Sequence, residues 1–203
     1  MAPQYKFTYF DFRALGEFIR FLFKYGDIDF EDNRLDPNEW PKLKPSYPNG
    51  KLPLLEFDGK TLNQSTAIGR FIAKKIGLAG SNDWEAAQID ATVENLNDLR
   101  MAFAKVIWEV DDASKPEEKE KFLKETVPLF LPRLEAQVKT NGGYFVGGKL
   151  SWADIYLAAY HETFNHFFKD MFSPYPALQG VIDKVHAIPS IKAYVSKRPK
   201  TDI

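Results

Sequence analysis

A proline at the start of an apolar run, followed by a tight turn, constrains the fold of this chain more than any other feature. Pro53 directly precedes the apolar residues 54–57. Proline has no N–H to donate to a sheet, so it belongs at the start or edge of a strand. Asp58-Gly59 then separates two apolar runs, and this dipeptide is a strong signal for a two-residue hairpin turn. We therefore predict a β-hairpin with strands at 52–57 and 60–62.

The hairpin leads into an amphipathic helix whose start suits an anionic group. Residues 65–76 carry apolar side chains at helical spacing, and Gly77 follows them as a typical C-terminal residue. Asn63 or Ser65 suits the helix N-cap. Gln64 and Ser65 place polar side chains and backbone N–H groups at the positive end of the helix dipole, where a carboxylate can bind. The alternative is a hairpin and helix cap without a ligand.

Strands and helices alternate upstream of the hairpin. The pattern predicts a strand at 5–10, a helix at 16–25 capped by Gly26, a strand at 30–35 and at most a short helix at 40–46. The order β-α-β, then ββ, then α favours a mixed sheet with helices on its faces.

Downstream of residues 78–83, only helices are predicted. The helical segments are 84–110, 115–139, 151–168, 177–188 and 190–196. Pro128 and Pro132 should kink the second of them. Ser151 and Asp154 have the spacing of a capping box. The change in pattern predicts two domains, at 1–78 and 84–203.

Composition excludes several classes of protein. The chain has 203 residues and no cysteine, so disulfides, thiolate metal sites and cysteine nucleophiles are absent. A net charge of -1 argues against nucleic acid or anionic membranes as partners. No signal-peptide pattern and no apolar run near the roughly 18 residues of a membrane span is visible. We expect a soluble, cytoplasmic protein.

Several ordered motifs run along the whole chain. They are Tyr5-Lys6-Phe7-Thr8-Tyr9-Phe10, Gly16-Glu17-x-Ile19-Arg20, Trp40-Pro41-x-x-Lys44, Gln64-Ser65-x-Ala67-Ile68, Ser151-Trp152-Ala153-Asp154 and Arg198-Pro199-x-Thr201-Asp202. Together these motifs resemble those of the sigma-class glutathione transferases, and the pattern is similar to insect sigma-class enzymes and relatives of haematopoietic prostaglandin D synthase. The resemblance implies a thioredoxin-like α/β N-terminal domain (βαβ-ββα), an all-α C-terminal domain, and a homodimer that detoxifies electrophiles with glutathione as co-substrate.

Tyr9 is the candidate catalytic residue. A free thiol with a pKa of about 8.5 is mostly protonated at neutral pH, and lowering that pKa by two units requires about 2.7 kcal/mol of preferential thiolate stabilisation. A phenol O–H in a dry cleft is a suitable donor. Tyr9 ends the first predicted strand, and the resemblance puts the catalytic tyrosine there. Tyr5, near the strand start, is expected to pack in the core.

The resemblance also implies a set of glutathione-binding residues. Trp40 and Lys44 would hold the glycyl end, the backbone before a cis Pro53 would bind the cysteinyl part, and Gln64-Ser65 would hold the γ-glutamyl carboxylate. Asp98 would reach across the dimer. The full set is Tyr9, Arg13, Trp40, Lys44, Lys51, Leu52, Pro53, Gln64, Ser65 and Asp98. Glu94, Asn97 and Asp98 only partly reproduce the metal-binding carboxylates of some relatives, so we predict no metal.

One position departs from the resemblance. Many sigma-class enzymes have an arginine where this chain has Leu15, which questions prostaglandin isomerase activity and weakens thiolate activation or shifts it to Arg13. The predicted substrate pocket is apolar and aromatic, which suits lipid-derived aldehydes or hydroperoxides. Its residues are Phe10, Leu15, Phe103, Ala104, Tyr156 and Tyr160. The alternatives are a glutathione-dependent prostaglandin isomerase and a non-catalytic structural protein or ligand carrier.

Overall fold

The first half of the chain forms a four-stranded mixed sheet with helices packed on it. This computed structural model describes residues 4–201 and 203; residues 1–3 of the predicted first domain and Asp202 of the closing motif lie outside the described part. The strands are β1 (Tyr5–Phe10), β2 (Phe30–Leu35), β3 (Leu54–Phe57) and β4 (Lys60–Asn63). The sheet order is β2-β1-β3-β4. β1 and β2 are parallel, and the β1–β3 and β3–β4 pairs are antiparallel.

The helices of this half are α1 (Glu17–Tyr25), α2 (Trp40–Leu43) and α3 (Ser65–Lys75). The predicted C-cap of α1 at Gly26 is confirmed, and the predicted N-cap of α3 at Asn63 or Ser65 is wrong. Gly26 ends α1 with φ -78, and the next residue, Asp27, takes the left-handed φ of 50. Gln64 caps α3, with φ 71 and no side-chain bond to the helix, because Asn63 is the last residue of β4 and Ser65 is already helical. Gly77 follows α3 with φ 75, as the sequence predicts.

The described residues of the second half form helices and loops with no strand, and one isolated β-bridge pairs Val146 with Lys149. Its helices are α4 (Asp83–Ala104), α5 (Lys115–Lys121), α6 (Val127–Thr140), α7 (Trp152–Phe167), α8 (Pro176–His186) and α9 (Pro189–Lys197). The first two predicted helices of this half each contain a π-helical turn that the sequence did not predict, at 105–109 and 122–126. Pro128 lies just after the second of these turns, and helical dihedral angles continue through Thr126 and Val127, so the proline does not begin a separate helix. Pro132 lies inside α6.

Helix α7 is the centre of the molecule. Its residues 152–160 are all buried, and α1 from the sheet half packs against it. The predicted capping box is confirmed at its start, where one carboxylate oxygen of Asp154 accepts from the Ser151 N–H and hydroxyl, each at 2.7 Å. The other oxygen accepts from the Phe145 N–H at 3.0 Å. This helix therefore joins the two halves into one core.

The predicted fold class is confirmed: a thioredoxin-like α/β half is followed by an all-α half. The division at 1–78 and 84–203 stays a prediction. Within residues 4–201 and 203, no helix has both the length and the apolar character that crossing a membrane requires.

Candidate active site

The strand register brings the predicted site residues to one edge of the sheet. Thr8 of β1 pairs with Leu54 of β3, so the next step of this antiparallel register sets Tyr9 beside Pro53. Leu54 also pairs with Asn63, which ends β4. The C-terminal end of β1, the start of β3 and the end of β4 therefore meet. The Leu52–Pro53 peptide bond is cis, which confirms the prediction for Pro53.

The same edge carries the start of α3. Ile68 N–H donates to the Gln64 carbonyl at 2.9 Å, and no described residue accepts from the N–H groups of residues 65–67. Ser65 is buried and the side chain of Gln64 is exposed. Gln64 has a φ of 71, which is unusual for a residue with a side chain and is often found where a ligand binds. This helix end can hold a carboxylate.

The segment between β2 and β3 lies beside this edge through aromatic contacts. The Trp40 ring lies 5.4 Å from the ring of Phe10, which follows Tyr9, and 5.4 Å from the Tyr47 ring. Lys44 is exposed, and its aliphatic stem packs over Gly50, where an added Cβ would lie 3.2 Å from Lys44 Cγ. Glycine is also suited to the φ of 56 at position 50. Lys44 thus has its aliphatic stem against Gly50 and its side chain at the surface.

Tyr9 is buried, with 6% of its surface exposed. Burial raises the pKa of its hydroxyl to about 12, although the charges of Arg20 and Arg100 and a hydrogen bond from the Leu15 N–H oppose this shift. At neutral pH the hydroxyl therefore keeps its proton. Tyr9 is a hydrogen-bond donor to an anion beside it and is unsuited to act as a general base.

A cavity of about 270 Å³ opens at Tyr9 between the two halves of the chain. It is lined by Tyr9, Phe12, Ala14, Leu15, Arg100, Ala104, Trp108 and Tyr160. Of the predicted pocket residues, Leu15, Ala104 and Tyr160 therefore lie in the wall.

Three other residues predicted for the substrate pocket do not line this cavity. Phe103 is fully buried in an aromatic cluster, with the Phe164 ring at 4.8 Å. Tyr156 packs against Phe18 at 4.7 Å. The Phe10 ring stacks on the Phe12 ring, with centroids 5.2 Å apart, and Phe12 lines the cavity in place of Phe10.

Sequence reasoning missed Phe12, Ala14, Arg100 and Trp108. A signal for two of them existed, because Arg100 and Trp108 lie four residues before and after Ala104, a spacing that keeps side chains on one helix face. Arg100 is the single charged residue among the described residues of the wall.

Two predicted glutathione contacts lie apart from the cavity wall. Arg13 is half-buried, and its Nε lies 3.3 Å from Glu162 Oε2 of α7. Asp98 is exposed on α4. Within the described residues, no group of three or more His, Cys, Asp or Glu side chains has a geometry that could hold a metal.

The architecture and the site together define a class of protein: a thioredoxin-like half with a cis-proline edge, an anion-binding helix start and a buried tyrosine, joined to a helical half that closes an apolar cavity. Residues 5–74 match the family "Glutathione S-transferase, N-terminal domain", and residues 97–198 match "Glutathione S-transferase, C-terminal domain". The chain belongs to the glutathione S-transferase family.

Individual relatives agree with this membership. The chain is 44% identical to glutathione S-transferase S1 of Drosophila melanogaster, over 98% of this chain and 80% of the relative. It is 40% identical to the hematopoietic prostaglandin D synthase of Gallus gallus, over 99% of this chain and 100% of the relative. The solved structure of prostaglandin synthase D of Nilaparvata lugens superposes with a TM-score of 0.94 at 44% identity, covering 98% of this chain and 100% of that chain. The prediction of a glutathione transferase is confirmed at this level.

Proposed function

We propose that this protein is a sigma-class enzyme that conjugates the glutathione thiolate to small apolar electrophiles, with Tyr9 as the residue that stabilises the thiolate. The observation that carries the proposal is the buried, protonated Tyr9 hydroxyl in the wall of an apolar cavity, beside the cis-proline edge. A donor held in a dry site stabilises an anion more strongly than water does, because water must reorganise and the fixed donor need not.

The rest of the tripeptide would bind along the same edge. The backbone at Leu52 would bond the cysteinyl part, as a strand would, because this residue precedes β3 at the sheet edge. The free N–H groups at the start of α3, with Gln64 and Ser65, would hold the γ-glutamyl carboxylate. Trp40 and Lys44 would hold the glycyl carboxylate, and Lys51 lies on the same segment, exposed. Arg13 lies on the loop after β1 and is held there by its ion pair with Glu162 of α7. From this loop Arg13 would contact glutathione.

A Tyr9→Phe variant tests the role of the hydroxyl. We expect the pKa of the enzyme-bound glutathione thiol to return toward the value of about 8.5 for a free thiol. Turnover at neutral pH should fall at least about 10-fold, since one pKa unit changes the thiolate fraction tenfold in this range. The measurement is the ultraviolet absorbance of the bound thiolate as a function of pH.

Tyr5→Phe is the matched control. Tyr5 lies on the same strand and is also buried, but its ring stacks on Phe57 at 4.5 Å, outside the cavity wall. This variant should leave the thiol pKa unchanged. A thiol pKa that stays the same in Tyr9→Phe would show that Tyr9 is not the activating residue. Binding of glutathione without turnover of any electrophile would instead support a carrier.

A second candidate function is a glutathione-dependent prostaglandin isomerase. The observation in its favour is the similarity to two proteins described as prostaglandin D synthases. Leu15 lines the cavity at the position where the motif resemblance implies an arginine, and the missing arginine argues against an isomerase. Incubation with prostaglandin endoperoxide and glutathione, followed by product analysis, separates the two: a prostaglandin formed at a rate comparable to conjugation would favour the isomerase. Incubation with a lipid hydroperoxide and glutathione, followed by product analysis, measures the reduction of lipid hydroperoxides.

We further propose that the enzyme is a cytoplasmic homodimer that acts in detoxification. In the isolated chain, Asp98 is exposed on the surface of α4. It is therefore accessible to glutathione bound by a second copy of the chain. Light scattering after size exclusion should give twice the chain mass of 23.3 kDa. An Asp98→Ala variant should bind glutathione more weakly while remaining dimeric.

A further inference from the structure

The loop between β1 and α1 supplies part of the cavity wall in a backbone conformation that its own residues do not favour. Phe12, Ala14 and Leu15 of this loop line the cavity. Ala14 has a φ of 31, in the left-handed region that residues with a Cβ seldom occupy. Such a conformation persists only where surrounding contacts hold it. The shape of this wall therefore depends on contacts made by neighbouring elements.

Two of these neighbours hold the backbone of the loop. Arg20 of α1 is fully buried and donates to the Phe12 carbonyl at 2.9 Å and to the Phe10 carbonyl at 3.3 Å. The Arg13 N–H donates to the Ile203 carbonyl at 2.7 Å. These bonds fix the loop backbone up to Arg13, which directly precedes the strained alanine.

The side chain of Arg13 is held from the helical half by a carboxylate of α7. Glu162 has its Oε2 atom 3.3 Å from Arg13 Nε and 2.5 Å from Arg198 Nη2. Its Oε1 atom lies 4.0 Å from His186 Nε2, at the end of α8. With 22% of its side chain exposed, Glu162 makes these contacts where solvent screens charges less than at the open surface. One carboxylate thus connects the cavity loop to the segment that follows α9.

The charge of Glu162 keeps two cations together. Arg13 and Arg198 bind the same oxygen atom, so without the negative charge the two guanidinium groups would repel each other at short range. Arg198 is also paired with Glu17, a fully buried carboxylate. Arg13 precedes the strained Ala14 on a loop. Loss of the charge should therefore displace the loop and leave Arg198 in place.

We propose that Glu162 is a positioning residue: through Arg13 it sets where Phe12 and Leu15 lie in the cavity wall, and so how tightly the electrophile binds. The inference rests on the proposed function, because it concerns the second substrate of the transfer. Glu162 itself lies outside the wall. Tyr9 belongs to β1, whose pairing with β2 and β3 places this residue independently of Glu162.

The competing explanation is that Glu162 only stabilises the fold, through Arg198 and His186. In that case loss of its charge would lower Tm and leave the folded enzyme with an unchanged cavity. A residue that shapes the binding wall would instead raise KM for the electrophile in enzyme that is fully folded at the assay temperature. The two explanations therefore differ in KM and agree in Tm.

Glu162→Gln tests the proposal, because glutamine keeps the size of the side chain and removes its charge. We expect KM for chlorodinitrobenzene at saturating glutathione to rise about 10-fold and kcat to change by less than about 3-fold, since lost binding that the ground and transition states share changes KM alone. The pKa of the bound thiol should stay at the wild-type value. Glu125→Gln is the matched control: its carboxylate is exposed on the turn at 122–126, and its loss should change neither KM nor Tm.

A double variant shows whether Glu162 acts through Arg13. Arg13→Met should raise KM by a similar factor, and Arg13→Met/Glu162→Gln should be no worse than Arg13→Met alone, because the effects of two residues that act as a pair do not add. An unchanged KM in folded Glu162→Gln, a second full rise of KM in the double variant, or a shifted thiol pKa in Glu162→Gln would each overturn the proposal.

Glu162→Asp keeps the charge on a shorter stem and takes the place of Glu162→Gln if the glutamine variant does not fold. It should raise KM by a smaller factor and show the same non-additivity with Arg13→Met. An unchanged KM in this variant, or a rise that recurs in full beside Arg13→Met, would again overturn the proposal. If the wild-type enzyme neither binds glutathione nor turns over chlorodinitrobenzene, the proposed function itself is wrong.

Discussion

At the scale of single residues, the position of the Tyr9 ring depends on a glycine. A Cβ at position 16 would lie 2.4 Å from Tyr9 Cδ1 and 2.8 Å from Tyr9 Cγ, closer than real Cβ atoms approach. Gly16→Ala should therefore displace the ring. Because a misplacement of about 1 Å can cost about 10²-fold in rate, we expect kcat/KM to fall by that order. Steady-state kinetics with a chromogenic electrophile measures it.

Gly180→Ala is the matched control for this variant. Gly180 lies inside α8, and an added Cβ would meet nothing within 4 Å. Alanine is the better helix former by about 1 kcal/mol, so this variant should be slightly more stable than the wild type and fully active. A Gly16→Ala variant that keeps wild-type activity would show that the Tyr9 ring tolerates the added methyl group.

The residues of the site differ in how far the sequence predicts them. Tyr9, Pro53 and Ser65 lie in local motifs, and strand register alone brings them to one edge. Arg100 depends on how α4 packs against α7, a long-range contact that no local pattern encodes. The same reason explains Phe103: helical spacing predicts that it faces inward, but tertiary packing decides between the core and the cavity.

At the scale of elements, the helices and strands with strong local signals were predicted within a few residues, and the exceptions have local causes. The Asp58-Gly59 hairpin and the helix before Gly77 follow from turn and cap chemistry. The π-helical turns at 105–109 and 122–126 do not follow from turn or cap chemistry, because apolar side chains continue through them at nearly helical spacing. An extra residue in a helical turn leaves no composition signal.

The start of α4 provides a prediction at this scale. Hydrogen bonds from the Ser81 hydroxyl and N–H, then Lys149, lower the pKa of Glu85 from 4.5 to about 2. A carboxyl group whose pKa is lower in the folded protein than in the unfolded protein stabilises the fold at pH values above its unfolded pKa. It loses that contribution as the pH falls toward its folded pKa. Glu85→Gln should thus lower Tm near neutral pH, and the difference from the wild type should shrink as the pH falls from about 4.5 toward 2. Thermal unfolding followed by circular dichroism across this range measures the difference.

Ser81→Ala provides the control for this element. It removes the hydroxyl donor, at 2.6 Å from Glu85 Oε2, and keeps the backbone donor, at 2.5 Å. The pH dependence should therefore be weaker than in the wild type and stronger than in Glu85→Gln. Parallel Tm curves for the wild type and Glu85→Gln at all pH values would contradict the assigned role of Glu85.

At the scale of the whole molecule, buried ion pairs join the end of the chain to the sheet half. Arg198, just after α9, binds Glu17 Oε1 through one nitrogen and Glu162 Oε2 through the other, each at 2.5 Å. Glu17 is fully buried and is also bound by Arg20 at 3.2 Å. Arg20 holds the loop after β1 through the Phe12 carbonyl, at 2.9 Å. The two halves share this network and one apolar core, so we expect a single cooperative unfolding transition.

Arg198→Met tests the network as a unit. The change leaves Glu17 buried with one of its two cationic partners, and breaking a buried pair costs about 3 kcal/mol or more. For a chain of this length, that corresponds to a fall in Tm of about 6–12 °C. Chemical denaturation measures the free energy of unfolding. Lys124→Met, which removes a fully exposed ion pair with Glu120, should leave Tm nearly unchanged because solvent already screens that pair.

The double variant Glu17→Gln/Arg198→Met shows where the destabilisation in Arg198→Met arises. If the cost is that of a buried charge short of a partner, removing the charge must return part of the stability, and the double variant will be more stable than Arg198→Met alone. If instead Arg198 contributes mainly through the packing of its stem, the two losses will add. Additive losses would contradict the role of Arg198 as the counter-charge that lets Glu17 lie buried beneath the active-site loop.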